Sequence, residues 1–391
     1  MEIKKTIKNI FFSRAFEKRT MEQQSKVLYE KLSDTVRQIV HEETDKELEE
    51  IRKTCEQLSE VVRQMNAVNL FLQRYYGKQQ KGDYRTHFVS YYYEAIYGCA
   101  NLGDYIQTIA TEEAIRKCTN KETTFEYVLR GALTEHPGGT CVMQGWYEHR
   151  KLNFLPGPDT RPVWIGTHLC AEVRNLLIAL YNTSSIKFSD IGCRDKSTLT
   201  FCRSLGLSAY LSRCLTLTLP RREDTEAALA DTTYLTDCSD DIIEHLPANV
   251  KDKAKRVTQR NYPTENWKDW RESRNAAEQL LEEYRKHARL VVTTALHCAQ
   301  PCLAMGIPTI FIKPGYDEEE RFSSMDGLIT MYTIEDLKEG RVNFNPEAPS
   351  FEDLKAALLL NLRLTLKETL TTEENQKRQH AREFIANYRK V

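Results

Sequence analysis

No stretch of about 18 apolar residues occurs in this chain of 391 residues, so a membrane-spanning helix is not expected. The N-terminus lacks the apolar run and small-residue cleavage site of a signal peptide, and none is expected. None of the 11 cysteines forms a C-x-x-C pair, which argues against a zinc ribbon or a thioredoxin-type site. Their odd number and their apolar neighbours fit small buried side chains in a reducing compartment, without a disulfide framework. A cytoplasmic location is the expectation. There is no G-x-G-x-x-G and no P-loop. Net charge is nearly absent, with 55 Lys and Arg against 56 Asp and Glu, so no nucleic-acid partner is expected. What is present is a 41% hydrophobic and 28% charged chain, enough apolar material for a sizeable core and long enough for two domains.

Residues 20–75 contain neither glycine nor proline. Leu48, Ile51, Cys55, Leu58, Val62 and Met65 alternate three and four apart, a heptad seam, and Leu28, Leu32, Thr35 and Ile39 form a weaker one. Thr44 and Glu47 fit a capping box, so helices are expected over about 20–41 and 45–74, as a hairpin, a self-associating coiled coil or a helix laid on the body. Ahead of them, residues 1–19 carry six cationic and two acidic side chains with Ile3, Ile7, Ile10, Phe11 and Phe12 at near-helical spacing. Such a segment suits an anionic membrane surface, and equally a frayed terminus or a helix packed on its own protein. The arm spans 1–80.

Beyond it, strand-like and helix-like stretches alternate. Strands are expected over 86–93, 140–146, 161–168, 186–192, 232–237, 289–294 and 308–314, and helices over 104–115, 173–180, 196–205 and 270–288. This alternation implies an α/β fold with two Rossmann-like parallel-sheet domains, over 81–222 and 223–350, joined by a charged linker at 221–231. The tail 351–391 is expected to be helical, with Leu354, Leu358, Leu362 and Leu366 four apart, and to pack on the body. Ligands in this architecture bind beyond the carboxyl ends of the strands.

Three stretches lie at such ends. In 98–108, Asn101, Gly103 and Asp104 are helix-start residues, where free N–H groups attract anions. In 191–206, Arg194 and Asp195 stand between a strand and a helix, and an arginine there can hold a carboxylate or phosphate bidentately. In 291–312, Ala295, Leu296 and His297 occupy a strand-to-helix turn, with the helix proper expected to begin near Pro301. His297 is the side chain suited to proton exchange near neutral pH. No metal-ligand cluster is visible, so no metal and no bound cofactor are expected.

Taken together, N-L-G-D-Y-I-Q (101–107), Q-G-W-Y-x-H (144–149), R-D-K-x-T (194–198), L-G (205–206), C-L-T-L-T-L-P (214–220) and L-H-C-A-x-P-x-L-A-x-G-I-P (296–308) resemble the polysaccharide pyruvyl transferase family over roughly 84–320. The resemblance implies a two-domain fold like that of GT-B glycosyltransferases. It implies transfer of the enolpyruvyl unit of phosphoenolpyruvate onto a sugar, usually as a cyclic ketal, with loss of orthophosphate. The acceptor would be a nucleotide-linked sugar or a lipid-linked intermediate at the inner face of the membrane. Carried over, Arg194 would hold the donor's carboxylate or phosphate. His297 would act as acid–base or donor ligand, Leu296 would contact the donor through its backbone, and Asn101, Gly103 and Asp104 would line the facing wall.

One position departs from the pattern. Ala295 stands where the family reads Arg, which implies a chain of weakened or absent turnover, either a natural relative or an engineered variant; the family-like surroundings favour the second. A nucleotide-sugar glycosyltransferase of the same architecture, and a non-catalytic scaffold assembled as a homo-oligomer by the heptad arm, are the alternative readings.

Overall fold

The computed structural model of the chain describes residues 26–27, 30–31, 33, 45–77, 87–120, 122–147, 152–183, 188, 190–264, 269–315 and 319–390. The basic segment 1–19 and most of the first expected arm helix lie outside the described residues. The second arm helix, α1 (Asp45–Gly77), begins where the capping pattern placed it. Its last third is docked: Val68, Phe71 and Leu72 are buried in the main core. Leu58, Val61 and Met65, one to three turns earlier, are exposed.

The chain then runs through β1 (Phe88–Tyr92), β2 (Cys99–Ala100), α2 (Leu102–Cys118), β3 (Phe125–Leu129), β4 (Gly139–Val142) and β5 (Gly145–Tyr147). It continues through β6 (Thr160–Val163), β7 (Thr167–Leu169), α3 (Ala171–Thr183), β8 (Ile191–Cys193), α4 (Lys196–Ser204) and β9 (Ala209–Leu211). The strands pair in parallel in two sheets, ordered β3-β1-β4-β6 and β5-β7-β8-β9. The single strands expected at 140–146 and 161–168 are each broken in two, and their halves belong to different sheets. The break is bridged, because Met143 donates to the Val163 carbonyl at 2.8 Å and Gly192 to that of Trp164 at 2.9 Å. The two sheets thus continue one another across a bend. Gly166, at φ 70°, takes the turn in a conformation that side chains resist.

The second half comprises α5 (Asp224–Leu229), β10 (Thr232–Thr236), α6 (Asp240–His245), α7 (Ala248–Lys251), β11 (Lys255–Val257), β12 (Tyr262–Pro263) and α8 (Trp270–His287). It continues with β13 (Ala288–Thr293), α9 (Leu296–Ala304), β14 (Thr309–Ile312), β15 (Met331–Tyr332), α10 (Ile334–Lys338), α11 (Glu352–Leu366) and α12 (Thr372–Asn387). Its sheet is parallel, ordered β11-β10-β13-β14-β15. The central strand β13 is buried at all positions but Arg289, as a strand covered on both faces requires. Two expectations need correction here. The stretch 221–231 is not a plain linker: Glu223 and Glu226 form a capping box that starts α5. The helix also does not wait for Pro301. Ala295 already accepts from the N–H of Cys298 and Ala299, so α9 starts at Leu296 with Pro301 inside it. The bias that proline exerts on the preceding residue was overridden by that first turn.

Three devices join the halves. The antiparallel pair β2–β12 links Cys99–Ala100 to Tyr262–Pro263. The buried Glu112 of α2 accepts from Nη1 and Nη2 of Arg274 of α8, at 3.0 and 2.9 Å, and Trp270 stacks on Tyr92. The tail crosses from one half to the other: Leu354, Leu358 and Leu362 are buried, Leu366 partly so, and Arg382 of α12 reaches Asp190 at 2.8 Å while its guanidinium lies over Tyr210. Among the described residues no helix is long and apolar enough to cross a membrane.

Candidate active site

Helices α2 and α9 present their N-termini to each other across the gap between the sheets. Asn101 caps α2, its Oδ1 accepting from Gly103 N–H at 3.0 Å. A Cβ at Gly103 would meet Asn101 Oδ1 and Gln259 Nε2 at 3.0 Å and His297 Cβ at 3.2 Å. The glycine is therefore what lets the two helices approach this closely. Between them lies a recess of about 50 Å³, lined by all seven residues singled out from sequence: Asn101, Gly103, Asp104, Arg194, Ala295, Leu296 and His297. Trp146, Gln259, Arg260 and Arg321 complete it. Asn101, Asp104, Trp146 and Arg260 also face a neighbouring cavity of about 750 Å³, whose other walls combine the aromatic Tyr93, Tyr97, Tyr147 and Phe154 with the charged Glu94 and Arg130.

Arg194 follows β8 directly, and its side chain is almost completely buried. It donates from Nη1 to His297 Nε2 at 3.4 Å, and its Nε lies 3.6 Å from Asp195 Oδ2. Burial, then the charges of Arg194, Arg321 and His168, hold the His297 imidazolium well below the ordinary histidine range, so the ring is neutral at pH 7. Asp104, buried 3.7 Å from Arg130, has its carboxyl pushed up by burial, against the pull of Arg130 and Arg194. Asp195 caps α4 through Thr198 N–H at 2.9 Å and bonds His168 Nδ1 at 2.6 Å. Burial favours its neutral form, but His168, Arg194 and the capped N–H hold it below the usual carboxylate range. Burial lowers His168 as well, so the neutral ring donates from Nδ1 to a carboxylate, and its Nε2 is buried without a hydrogen-bond partner among the described residues. Trp146 Nε1 and Gln259 Oε1, both on residues of the recess, are in the same condition. Clustered unsatisfied polar atoms are a mark of a ligand site.

A family model described as polysaccharide pyruvyl transferase matches residues 101–316, more than half of the chain. The chain belongs to the polysaccharide pyruvyl transferase family. No curated protein matches it. A solved structure, that of an uncharacterised protein from Klebsiella pneumoniae, is similar over 68% of this chain and 93% of its own, at 12% identity and a TM-score of 0.35.

The family motifs divide by what they do in the structure. N-L-G-D and L-H line the recess, and R-D-K contributes Arg194. C-L-T-L-T-L-P lies behind it as a buried turn: Leu215 N–H donates to Gln144 Oε1 at 2.7 Å, and Gln144 Nε2 donates to the carbonyl of Gln107 and the hydroxyl of Thr111 on α2. Sequence reasoning missed Gln259, Arg260 and Arg321 as site residues, along with the His168–Asp195 pair. Arg260 sits in a loop and Arg321 in the short 3-10 turn Glu319–Met325, neither long enough to show periodicity. His168 reads as one more residue of a strand. Among the described residues no group of three or more His, Cys, Asp or Glu side chains could hold a metal ion.

Proposed function

We propose that this pyruvyl transferase moves the enolpyruvyl unit of phosphoenolpyruvate onto a sugar of a cell-surface polysaccharide or of its nucleotide- or lipid-linked precursor, forming a pyruvate ketal and releasing orthophosphate. The observation that carries the reading is the shared wall. A cationic recess at the N-terminus of α9 shares Asn101, Asp104, Trp146 and Arg260 with a larger cavity that carries four further aromatic side chains. A small polyanion suits the first, and the flat apolar faces of a sugar suit the second.

The chemistry balances within those residues. His297, neutral when the recess is empty, gains a proton as the donor's negative charge enters, because a nearby anion favours the imidazolium. It passes that proton to the methylene carbon as the first sugar hydroxyl adds to the adjacent carbon. Asp104, which faces both spaces, accepts the proton that this hydroxyl loses. Orthophosphate then leaves with the electrons of its carbon–oxygen bond. The second hydroxyl closes the ketal, and its proton departs with the phosphate. Arg194 and the N-terminus of α9 hold the charge that moves onto the leaving group. In this reading the two units, 81–222 and 223–350, are the facing halves of a GT-B-like pair, and the protein works at the cytoplasmic side of the membrane.

The test is a reaction of the purified full chain with phosphoenolpyruvate and a panel of free, nucleotide-linked and lipid-linked sugars. Orthophosphate is assayed, and products are read by mass for an added pyruvyl ketal. Sugar-dependent phosphate release with that mass is expected. Consumption of a nucleotide sugar without phosphoenolpyruvate would make the protein a glycosyltransferase, and inertness toward both donors would leave it a scaffold.

A further inference from the structure

Behind Arg194 stands a buried pair that the proposed reaction does not use. His168 lies in β7, level with Trp146 of β5 in the sheet, and Asp195 directly follows Arg194. The two residues are 3% and 0% exposed, and His168 lines neither the recess nor the aromatic cavity. Backbone bonds on either side of His168 fasten its strand to the start of α4. Arg194 N–H donates to the Thr167 carbonyl at 2.8 Å, and Leu169 N–H donates to Thr198 Oγ1 at 3.2 Å.

The Asp195 carboxylate has three claimants. Its Oδ1 accepts the N–H of Thr198 at 2.9 Å, which caps α4. Its Oδ2 lies 2.6 Å from His168 Nδ1 and 3.6 Å from Arg194 Nε. Only the shorter of these two is a hydrogen bond, and Arg194 Nε is buried with no hydrogen-bond partner among the described residues. A guanidinium beside a buried carboxylate ordinarily closes to about 2.8 Å, because charge on both partners strengthens the bond. Here an imidazole N–H occupies the oxygen that such a contact would need. The guanidinium stands off from its own neighbour and turns Nη1 toward His297 Nε2, at 3.4 Å, on the wall of the recess.

We infer that His168 is a positioning residue: its Nδ1–H occupies the Asp195 carboxylate, so that Arg194 is not drawn into an ion pair with Asp195 and keeps its guanidinium turned to an anion in the recess. The identity of that anion rests on the recess being the donor site, as proposed above. Without the imidazole N–H, Asp195 Oδ2 loses its 2.6 Å partner and Arg194 Nε is the nearest cationic donor to replace it. The guanidinium would then be spent on a carboxylate of its own chain.

Calorimetry with phosphoenolpyruvate on the full chain tests this, with circular dichroism and thermal unfolding to confirm that each variant is folded. His168→Phe keeps a ring without the N–H, and should weaken binding about tenfold to a hundredfold, the effect of one charge-assisted contact. Asp195→Asn in the His168→Phe background should reverse most of that loss. Asparagine still caps the helix but no longer attracts a guanidinium. A merely structural role for His168 would not be rescued by altering a second buried partner. The inference is overturned if His168→Phe binds the donor as the native chain does, or if the added Asp195→Asn deepens the loss. If His168→Phe does not fold, two polar variants decide the matter. His168→Asn puts an amide N–H near the place of Nδ1–H and should bind at least about tenfold tighter than His168→Gln, whose amide lies near the place of Nε2. Equal affinity of the two would overturn the inference.

Nitrogen-15 NMR of the arginine-labelled chain reads the same event without a donor. The Arg194 Nε–H resonance, identified by its loss in Arg194→Lys, should move downfield in His168→Phe as the ion pair forms, and an unmoved resonance would overturn the inference. If that shift is seen while the native chain binds no phosphoenolpyruvate, the donor reading falls and the positioning role of His168 stands.

Discussion

The recess and the cavity it opens into share Asn101, Asp104, Trp146 and Arg260, but they are built from different materials. The recess is walled by guanidinium groups, an imidazole and two helix N-termini, with Arg194 buried and Arg260, Arg321 and His297 half-buried. The cavity is walled by tyrosines, Trp146 and Phe154 with Glu94 and Arg130 among them, and its Tyr97 is fully exposed. Fixed charge in a dry place binds a small anion and responds sharply to losing any one group. An open wall of aromatic faces holds a larger partner by area and tolerates change. The two spaces should therefore fail differently when altered.

The largest effect should come from His297→Ala. In the proposed reaction His297 is the general acid, and loss of one costs on the order of 10²–10⁴ in rate. Single-turnover phosphate release should fall by that much, while binding of the acceptor sugar alone, read by saturation-transfer NMR, is unchanged. An equal loss in both would show that the spaces are not separable.

Next is the clamp between the halves. Arg274→Ala leaves the fully buried Glu112 facing only Ser90 at 2.7 Å, Tyr127 at 3.4 Å and the more distant Arg116 at 3.8 Å. Uncovering a buried charge in this way destabilises by roughly 3–5 kcal/mol. Urea unfolding should report a loss of that size. A loss below about 1 kcal/mol would mean the carboxylate finds water or another cation.

Acid should separate the spaces too. His297 has a lower proton affinity in the folded state than unfolded, so between its folded value and about 6.5 the unfolded chain binds more protons. Its contribution is thus intact above about pH 6.5 and is lost as pH falls below that. The slope is up to about 1.4 kcal/mol per pH unit for each such group. His168 and His136, also lowered, act in the same direction. His297→Gln should flatten the fall in unfolding free energy between pH 6.5 and 5, and Tyr97→Phe in the aromatic cavity should leave it as it is.

The smallest effect belongs to Tyr97. It follows Ile96, which exchanges two backbone hydrogen bonds with Cys99 at 2.8 and 3.0 Å. Tyr97 and Gly98, at φ 51° and 73°, are the central pair of this tight turn. Glycine is preferred at both places, so Tyr97→Gly should stabilise the fold by about 1 kcal/mol. The same change should weaken acceptor binding severalfold, by about the 0.5–1.5 kcal/mol of one aromatic contact. Stabilisation with unchanged acceptor affinity would take Tyr97 out of the proposed acceptor site.

The arm offers a further contrast within one helix. Phe71 is buried against the body and Leu58 is exposed, though both belong to the same apolar-rich stretch. Phe71→Ala should cost about 3–5 kcal/mol and Leu58→Ala within about 0.5 kcal/mol in a monomer. A larger effect of Leu58→Ala that grows with protein concentration would reveal that the exposed face pairs with a second copy.

Much of the element content is determined by local pattern. The run Leu290–Thr293 is apolar enough to specify a buried parallel strand, and the side chains of Asn101 and Asp195 specify helix starts because they satisfy N–H groups within three residues of themselves. The seven recess residues were legible for the same reason, since each sits at a strand end or a helix start. Local pattern could not show that 140–146 and 161–168 each bend from one sheet to the next, because both halves of each stretch carry strand character. Nor could it place Pro301 inside a helix whose first turn had already closed. Arg260 and Arg321 have no periodic signature, and they reach the recess only because β11–β12 and the turn Glu319–Met325 are carried there by sheet order and by Arg213. Sequence by itself determined the elements and the backbone-built part of the site, because capping and periodicity act over a few residues. Only the tertiary structure decided which charges meet there, because Arg194, Arg260 and Arg321 are brought together by packing between segments more than 60 residues apart.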